Sequence, residues 1–185
     1  MAQQAIQRID QEATYRGVAS KAFATTLLAV VVRQTDSNTF VSSFWVGDGA
    51  IAVYSPQKMR LMGTPDAGEF AGQTRFLDKS IVQQFNQRVN IGYYDNIHAV
   101  ILLTDGVSDP RFETDAGLAS QQKWDALWHE WQPSLSHPEP DAALLEWMHF
   151  FQSGHHDDRS LAVLWRPELV QAAVDVPAVV GGEGA

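Results

Sequence analysis

The run Ile101-Leu102-Leu103-Thr104-Asp105-Gly106-Val107-Ser108-Asp109 carries the clearest chemical signal in the chain. An apolar, β-prone segment ends on an aspartate, and a glycine follows at once. A buried strand that stops there sets one carboxylate on a rigid tip, where the backbone must turn sharply. Such a carboxylate suits a hard cation or a group that reacts with phosphate. Its simpler role is to cap the turn. Other aspartates fall at comparable places. Asp48 lies between Gly47 and Gly49, and Asp157-Asp158 precede a closing apolar run. Carboxylates brought together repel one another unless cations lie between them. Mg2+ and Mn2+ favour carboxylate and water oxygens. Aspartates this far apart in sequence meet only if their strands are neighbours.

Other chemistries find less support. His155 and His156 adjoin Asp157, but adjacent side chains point apart. His98, His129, His137 and His149 make no zinc-ligand spacing. Solvated loop histidines are the plainer reading. There is no phosphate-binding Gly-x-x-x-x-Gly-Lys-Ser/Thr loop and no Gly-x-Ser-x-Gly elbow. The tryptophans Trp124, Trp128 and Trp131 recur at helical spacing and read as core.

The elements that must position these carboxylates alternate in type. Ala2 to Lys21 reads as a helix, with Ala5, Ile6, Ile9 and Ala13 on one stripe and Gly17 near its end. Phe23 to Val32 is almost continuously apolar, which predicts a central strand buried on both faces. Thr35-Asp36-Ser37-Asn38 is a turn, and Thr39–Val46 a partner strand. Ala50–Tyr54 and Lys58–Met62 follow as short strands, so a meander is expected. Gly63 to Gly72 is a long loop, and Phe76 to Val89 fits helix or strand equally. Asn96 to Thr104 is the strand that delivers Asp105. Gln121–Trp131 and Asp141–Gln152 predict helices, with Trp124, Leu127, Trp128 and Trp131 on one face of the first. Leu144, Leu145, Met148 and Phe151 share a face of the second, and Pro133 to Pro140 separates the two. Ser160 to Trp165 is a last strand.

The chain has 185 residues, 45% apolar and 19% charged, and a net charge of −9. That predicts one domain over residues 1–166 and a frayed tail over 167–185. Such acidity argues against a broad nucleic-acid or anionic-membrane surface. There is no cysteine, hence no disulfide or thiolate site. No signal peptide and no apolar run near the length of a membrane span are seen, so a soluble, cytoplasmic protein is expected.

The order of four segments then matters: Ala24-Thr25-Thr26-Leu27, Val46-Gly47-Asp48-Gly49-Ala50, Leu103-Thr104-Asp105-Gly106-Val107-Ser108-Asp109 and Asp157-Asp158-Arg159-Ser160-Leu161. Together they resemble the metal-dependent Ser/Thr protein phosphatases of type 2C, in their divergent bacterial branch. The resemblance covers about residues 20–166. It implies an α+β fold, an α-β-β-α sandwich of two antiparallel sheets flanked by helices. It implies a Mn2+ or Mg2+ pair whose bridging water attacks phosphoserine or phosphothreonine in a protein substrate, opposing a Ser/Thr kinase. By the same resemblance Asp105 and Asp157 bind one metal, Asp158 supports them, and Gly47-Asp48 is a structural turn. The loop from Gly63 stands where the family has a Thr-x-Asp-His-like segment, without the histidine. The family's early arginine with its acidic partner, and its Asp-Gly-x-Gly carrying a bridging aspartate, find no match before Phe23. The expectation is a type 2C domain without its first strands. The alternative is a phosphatase-like binding or regulatory module without activity, and the plainest reading is an unrelated α/β domain.

Overall fold

The computed structural model describes residues 2–63, 65–66, 74–154 and 156–174. Helix α1 (Ala2–Arg16) is followed by a short 3-10 turn (Ser20–Phe23), then β1 (Leu27–Gln34), β2 (Thr39–Val46), β3 (Ala50–Tyr54) and β4 (Arg60–Leu61). After α2 (Lys79–Gln83) and a second 3-10 turn come β5 (Val89–Tyr94) and β6 (Ala99–Leu103). Four helices follow: α3 (Asp105–Phe112), α4 (Asp115–Leu118), α5 (Gln121–Leu135) and α6 (Pro140–Trp147). Strand β7 (Leu161–Trp165) and helix α7 (Pro167–Val174) close the described chain.

The strands form two antiparallel sheets, β1-β2-β5 and β4-β3-β6-β7. They pack face to face. Val41 from one sheet meets Ile51, Val53 and Val100 from the other, with Leu28, Val30 and Val32 of β1 alongside. The far face of the four-stranded sheet carries Ala50, Ala52, Tyr54, Ala99, Ile101 and Leu103. Against it lie Trp124, Leu127, Trp128 and Trp131 of α5, with Leu144 of α6. Each sheet residue alternates sides, so β3 is apolar throughout because both its faces are covered. Ile6 of α1 and Ile81 of α2 pack with Leu27, Phe44 and Val46 of the three-stranded sheet. The expected α-β-β-α sandwich is the fold observed.

Several details differ from expectation. The strand in the Phe23–Val32 segment is not central: β1 lies at a sheet edge and pairs only with β2, Leu27 facing Val46. Its Val31 is 55% exposed. Hydropathy reports apolar contact, which α1 and the opposing sheet supply, and not the number of strand neighbours. The meander is also broken, because Gly47-Asp48-Gly49 carries the chain from one sheet to the other. The ambiguous Phe76–Val89 segment holds two short helical turns and the start of β5. Helix α5 runs through Pro133 to Leu135, and α6 stops at Trp147. Leu145 and Phe151 are therefore exposed, and only Leu144 of the expected apolar face is fully buried. Where a frayed tail was expected, α7 forms and Val170 is buried against the helical core. Residues 175–185 lie outside the described residues, as does most of the loop from Gly63 to Gly72.

Candidate functional site

Register alone gathers the strand-end aspartates. In the order β3-β6-β7, Ala50 pairs with Leu103 and Leu103 with Leu161, all antiparallel. Asp48 precedes Ala50, Asp105 follows Leu103, and Asp157-Asp158 precede Leu161. All therefore leave the sheet at the same end. Two bonds extend the β6–β7 ladder to this edge. The Thr104 N–H donates to the Ser160 carbonyl (3.0 Å), and the Ser160 N–H to Thr104 Oγ1 (2.9 Å).

The expected strand-tip turn at Asp105 is in fact the first turn of α3. An acidic residue there is favourable to the helix dipole. The Asp105 carboxylate accepts from the Gly106 N–H at 2.8 Å. Its pKa is nonetheless pushed above the ordinary value. Burial is the main cause, and repulsion from the Asp48 and Asp157 carboxylates adds to it. Three negative groups, Asp48, Asp105 and Asp157, thus meet at this edge, with Asp48 and Asp105 half-buried and Asp157, like its neighbour Asp158, exposed.

Sequence reasoning gave α3 no helix, because Gly106 and Pro110 are poor helix formers. Both have local reasons. Pro110 has no N–H for the Gly106 carbonyl four residues earlier. Arg159 Nε donates to that carbonyl instead, at 3.3 Å. The same guanidinium donates to the Met148 and Phe150 carbonyls, past the end of α6, at 2.7 and 2.5 Å. Arg159 thereby ties the Asp157-Asp158 segment to the helix that begins with Asp105.

The Gly47-Asp48-Gly49 turn is held from behind. Asp66 accepts from the Gly47 N–H (2.8 Å), and Arg88 pairs with Asp66 through both guanidinium Nη atoms. Thr74 donates its hydroxyl to Asp48. Sequence reading missed Asp66 and Arg88. The only trace was the Thr64-Pro65-Asp66 triplet inside a loop noted for its length.

Two hollows flank the edge. One, of about 350 Å3, is acidic, with Asp48, Asp66, Asp109, Glu113 and Asp115 among its lining residues. The other, of about 490 Å3, includes Phe150, Phe151, His156, Asp157, Asp158 and Arg159. Among the described residues, no three His, Cys, Asp or Glu side chains come together closely enough to hold a metal ion. The Asp105 carboxylate feels the charge of Asp48 first and of Asp157 second, and a Mg2+-like ion, which keeps several waters, takes only one or two carboxylates. The described residues do not assemble ligands for a pair of ions. His156 is exposed, His155 lies outside the described residues, and His98 is packed between Tyr54 and Trp128.

The sequence matches the protein phosphatase 2C family over residues 1–149. The chain belongs to this family. The match covers the Asp48 and Asp105 segments and ends before Asp157. Among solved structures, two phosphatases are similar. One is the phosphatase domain of the cell fate determinant SpoIIE from Bacillus subtilis, with 12% identity and a TM-score of 0.40 over 89% of this chain and 73% of that one. The other is a bacterial serine phosphatase bearing an arginine-to-lysine mutation, with 12% identity and a TM-score of 0.43 over 86% of this chain and 62% of that one. No curated protein matches the sequence. Among the described residues of this phosphatase 2C-family chain, no helix is long and apolar enough to cross a membrane.

Proposed function

We propose that this phosphatase 2C-family domain hydrolyses phosphoserine and phosphothreonine in proteins, with Mg2+ or Mn2+ taken up by Asp105 and Asp157. The observation that carries the reading is the Asp105 carboxylate, partly buried on a helix start and raised in pKa by burial and by two like charges. Burial and repulsion of this kind are relieved by a cation. The acidic hollow beside it supports the same view, because a phosphate dianion meets only repulsion there until positive charge is added. When bound, a divalent ion supplies an activated water and neutralises phosphoryl oxygens. The chain's own part is to hold and orient. Asp105 and Asp157 present oxygens, Asp158 packs its main chain against Gly106, and Arg159 fixes both segments. No side-chain nucleophile is called for.

The substrate is a phosphoprotein made by an opposing Ser/Thr kinase, with no nucleic acid or membrane partner, in the cytoplasm. The net charge of −9 supports the exclusion of polyanions. One domain spans residues 1–166, and residues 167–185 are its C-terminal tail.

The test is hydrolysis of p-nitrophenyl phosphate and of a phosphothreonine peptide by the purified chain, with and without Mn2+, beside Asp105→Asn. Mn2+-dependent turnover that disappears in Asp105→Asn is expected. A folded chain that binds Mn2+ but turns over neither substrate would leave a phosphatase-like binding module instead.

A further inference from the structure

The buried ion pair behind the aspartate edge has no part in the chemistry above, yet it is built with care. The Arg88 guanidinium forks onto Asp66, Nη1 to Oδ2 at 2.8 Å and Nη2 to Oδ1 at 3.0 Å. The two side chains are only 7% and 12% exposed. Withdrawing both charges from water is unfavourable unless the geometry is good and the remaining lone pairs are used. The carboxylate and the Arg88 Nη1 use theirs on one stretch of backbone, while the buried Arg88 Nε–H has no partner among the described residues. Asp66 Oδ2 accepts from the Gly47 N–H, and the Asp66 N–H donates to the Gly47 carbonyl at 3.0 Å. Arg88 Nη1 also donates to the Trp45 carbonyl at 3.3 Å, and the Trp45 N–H to the Arg88 carbonyl at 3.3 Å.

The gripped residue is the one before Asp48. Gly47 sits at φ +112°, a conformation open to glycine and to few other residues. A Cβ there would lie 2.4 Å from Thr26 Cγ2. Glycine is therefore required, and a glycine turn held only by its own chain has wide freedom. A planar, two-pronged pair removes that freedom better than a single point charge does.

We propose that Arg88 and Asp66 are positioning residues, which lock the Gly47-Asp48-Gly49 turn so that the Asp48 charge stays beside Asp105. The inference rests on the cation-binding reading of Asp105 and Asp157. In that reading Asp48 adds negative charge to the edge and strengthens cation uptake without being a ligand. Arg88 and Asp66 then act through Asp48, with no contact of their own to ion or substrate.

The experiment is calorimetric titration of the whole chain with Mg2+, with folding checked by circular dichroism. The set is wild type, Asp48→Asn, Arg88→Lys and the double variant. Arg88→Lys keeps the charge and loses the fork. It is expected to weaken Mg2+ binding by up to about tenfold, and by no more than Asp48→Asn does. The double variant is expected to match Asp48→Asn alone, because Arg88 has nothing further to position. Wild-type affinity in folded Arg88→Lys overturns the inference. So does a double variant weakened by the product of the single losses, which would mark a general structural role. Should Arg88→Lys unfold, Asp66→Asn carries the same expectation, since it keeps an acceptor for Gly47. Absence of Mg2+ binding by the wild type instead removes the cation reading itself, and this inference with it.

Discussion

The main-chain carbonyl of Asp158 lies so close over Gly106 that a Cβ at position 106 would sit 2.4 Å from its oxygen. The Asp157 carbonyl oxygen would be 3.1 Å from the same atom. The glycine after Asp105 is thus a matter of space: the segment carrying Asp157 and Asp158 is seated on it. Two parts of the edge far apart in sequence fit together only because one of them lacks a side chain.

Gly106→Ala is therefore expected to push the Asp157-Asp158 segment away from α3. Overpacking against backbone cannot be relieved by a rotamer change. The expected destabilisation is about 1–3 kcal/mol, read from urea denaturation, with weaker Mn2+ binding in calorimetry. Stability equal to wild type would mean that the two segments are not in contact in solution.

Arg159 offers an independent check on the same junction. Its guanidinium serves the Gly106, Met148 and Phe150 carbonyls and lies over the Phe150 ring at 4.0 Å. Arg159→Met keeps length and apolar contact but strands those acceptors. A loss of about 1.5–3 kcal/mol is expected from the charged hydrogen bonds, measured by chemical denaturation. Arg159→Lys should recover only part of it, because an ammonium cannot span the three carbonyls in one fork. Full recovery by lysine would show that charge, not geometry, matters there.

How much of this was legible in the residues follows from what each signal measures. Thr39–Val46 and Ala50–Tyr54 were readable to the residue, because polar turns and glycines bracket them on both sides. The buried face of α5 was legible because three tryptophans keep a helical period. The position of β1 was not, because an edge strand pressed between a helix and an opposing sheet is as apolar as a central one. Helix α3 was hidden by Gly106 and Pro110, whose penalties are met by long-range partners, Asp158 and Arg159. The candidate metal residues were visible as types at strand ends. Their common edge depends on the register of β3, β6 and β7, which no local pattern encodes. The pairing of Asp66 with Arg88 was hidden for the same reason, although the Thr64-Pro65-Asp66 triplet left a trace.

A pH dependence follows from Asp105. Its folded pKa is raised, first by burial and then by the Asp48 and Asp157 charges. A carboxylate so placed binds its proton more tightly in the folded state than in the unfolded chain. Its contribution to stability is fully present below the unfolded value, 3.8, and is lost as pH rises through the raised folded value. The metal-free protein carries that deficit at neutral pH. Asp105→Asn, which is neutral throughout, is expected to be more stable than wild type at pH 7 in the presence of a chelator. The gap should close as pH is lowered through the raised pKa of Asp105 toward 3.8. Thermal melts across that range decide it, and a gap that widens on acidification has the wrong sign.

The three metal-candidate aspartates should not respond alike. The Asp105 carboxylate is coupled electrostatically to Asp48 and then to Asp157, and not to Asp158. Asp158 meets α3 through its main-chain carbonyl, and its side chain is exposed. Asp105→Asn and Asp157→Asn are each expected to weaken Mn2+ binding by at least about tenfold, the scale on which lesser supporting groups already act. Asp158→Asn preserves the backbone contact and removes only an exposed charge, so its loss should stay within about threefold, the weight of a solvated charge. Titration of the three variants, each shown to be folded, orders them directly. Equal losses at Asp157 and Asp158 would mean that the edge attracts cations by bulk negative charge, and that the strand register does not select a ligand pair.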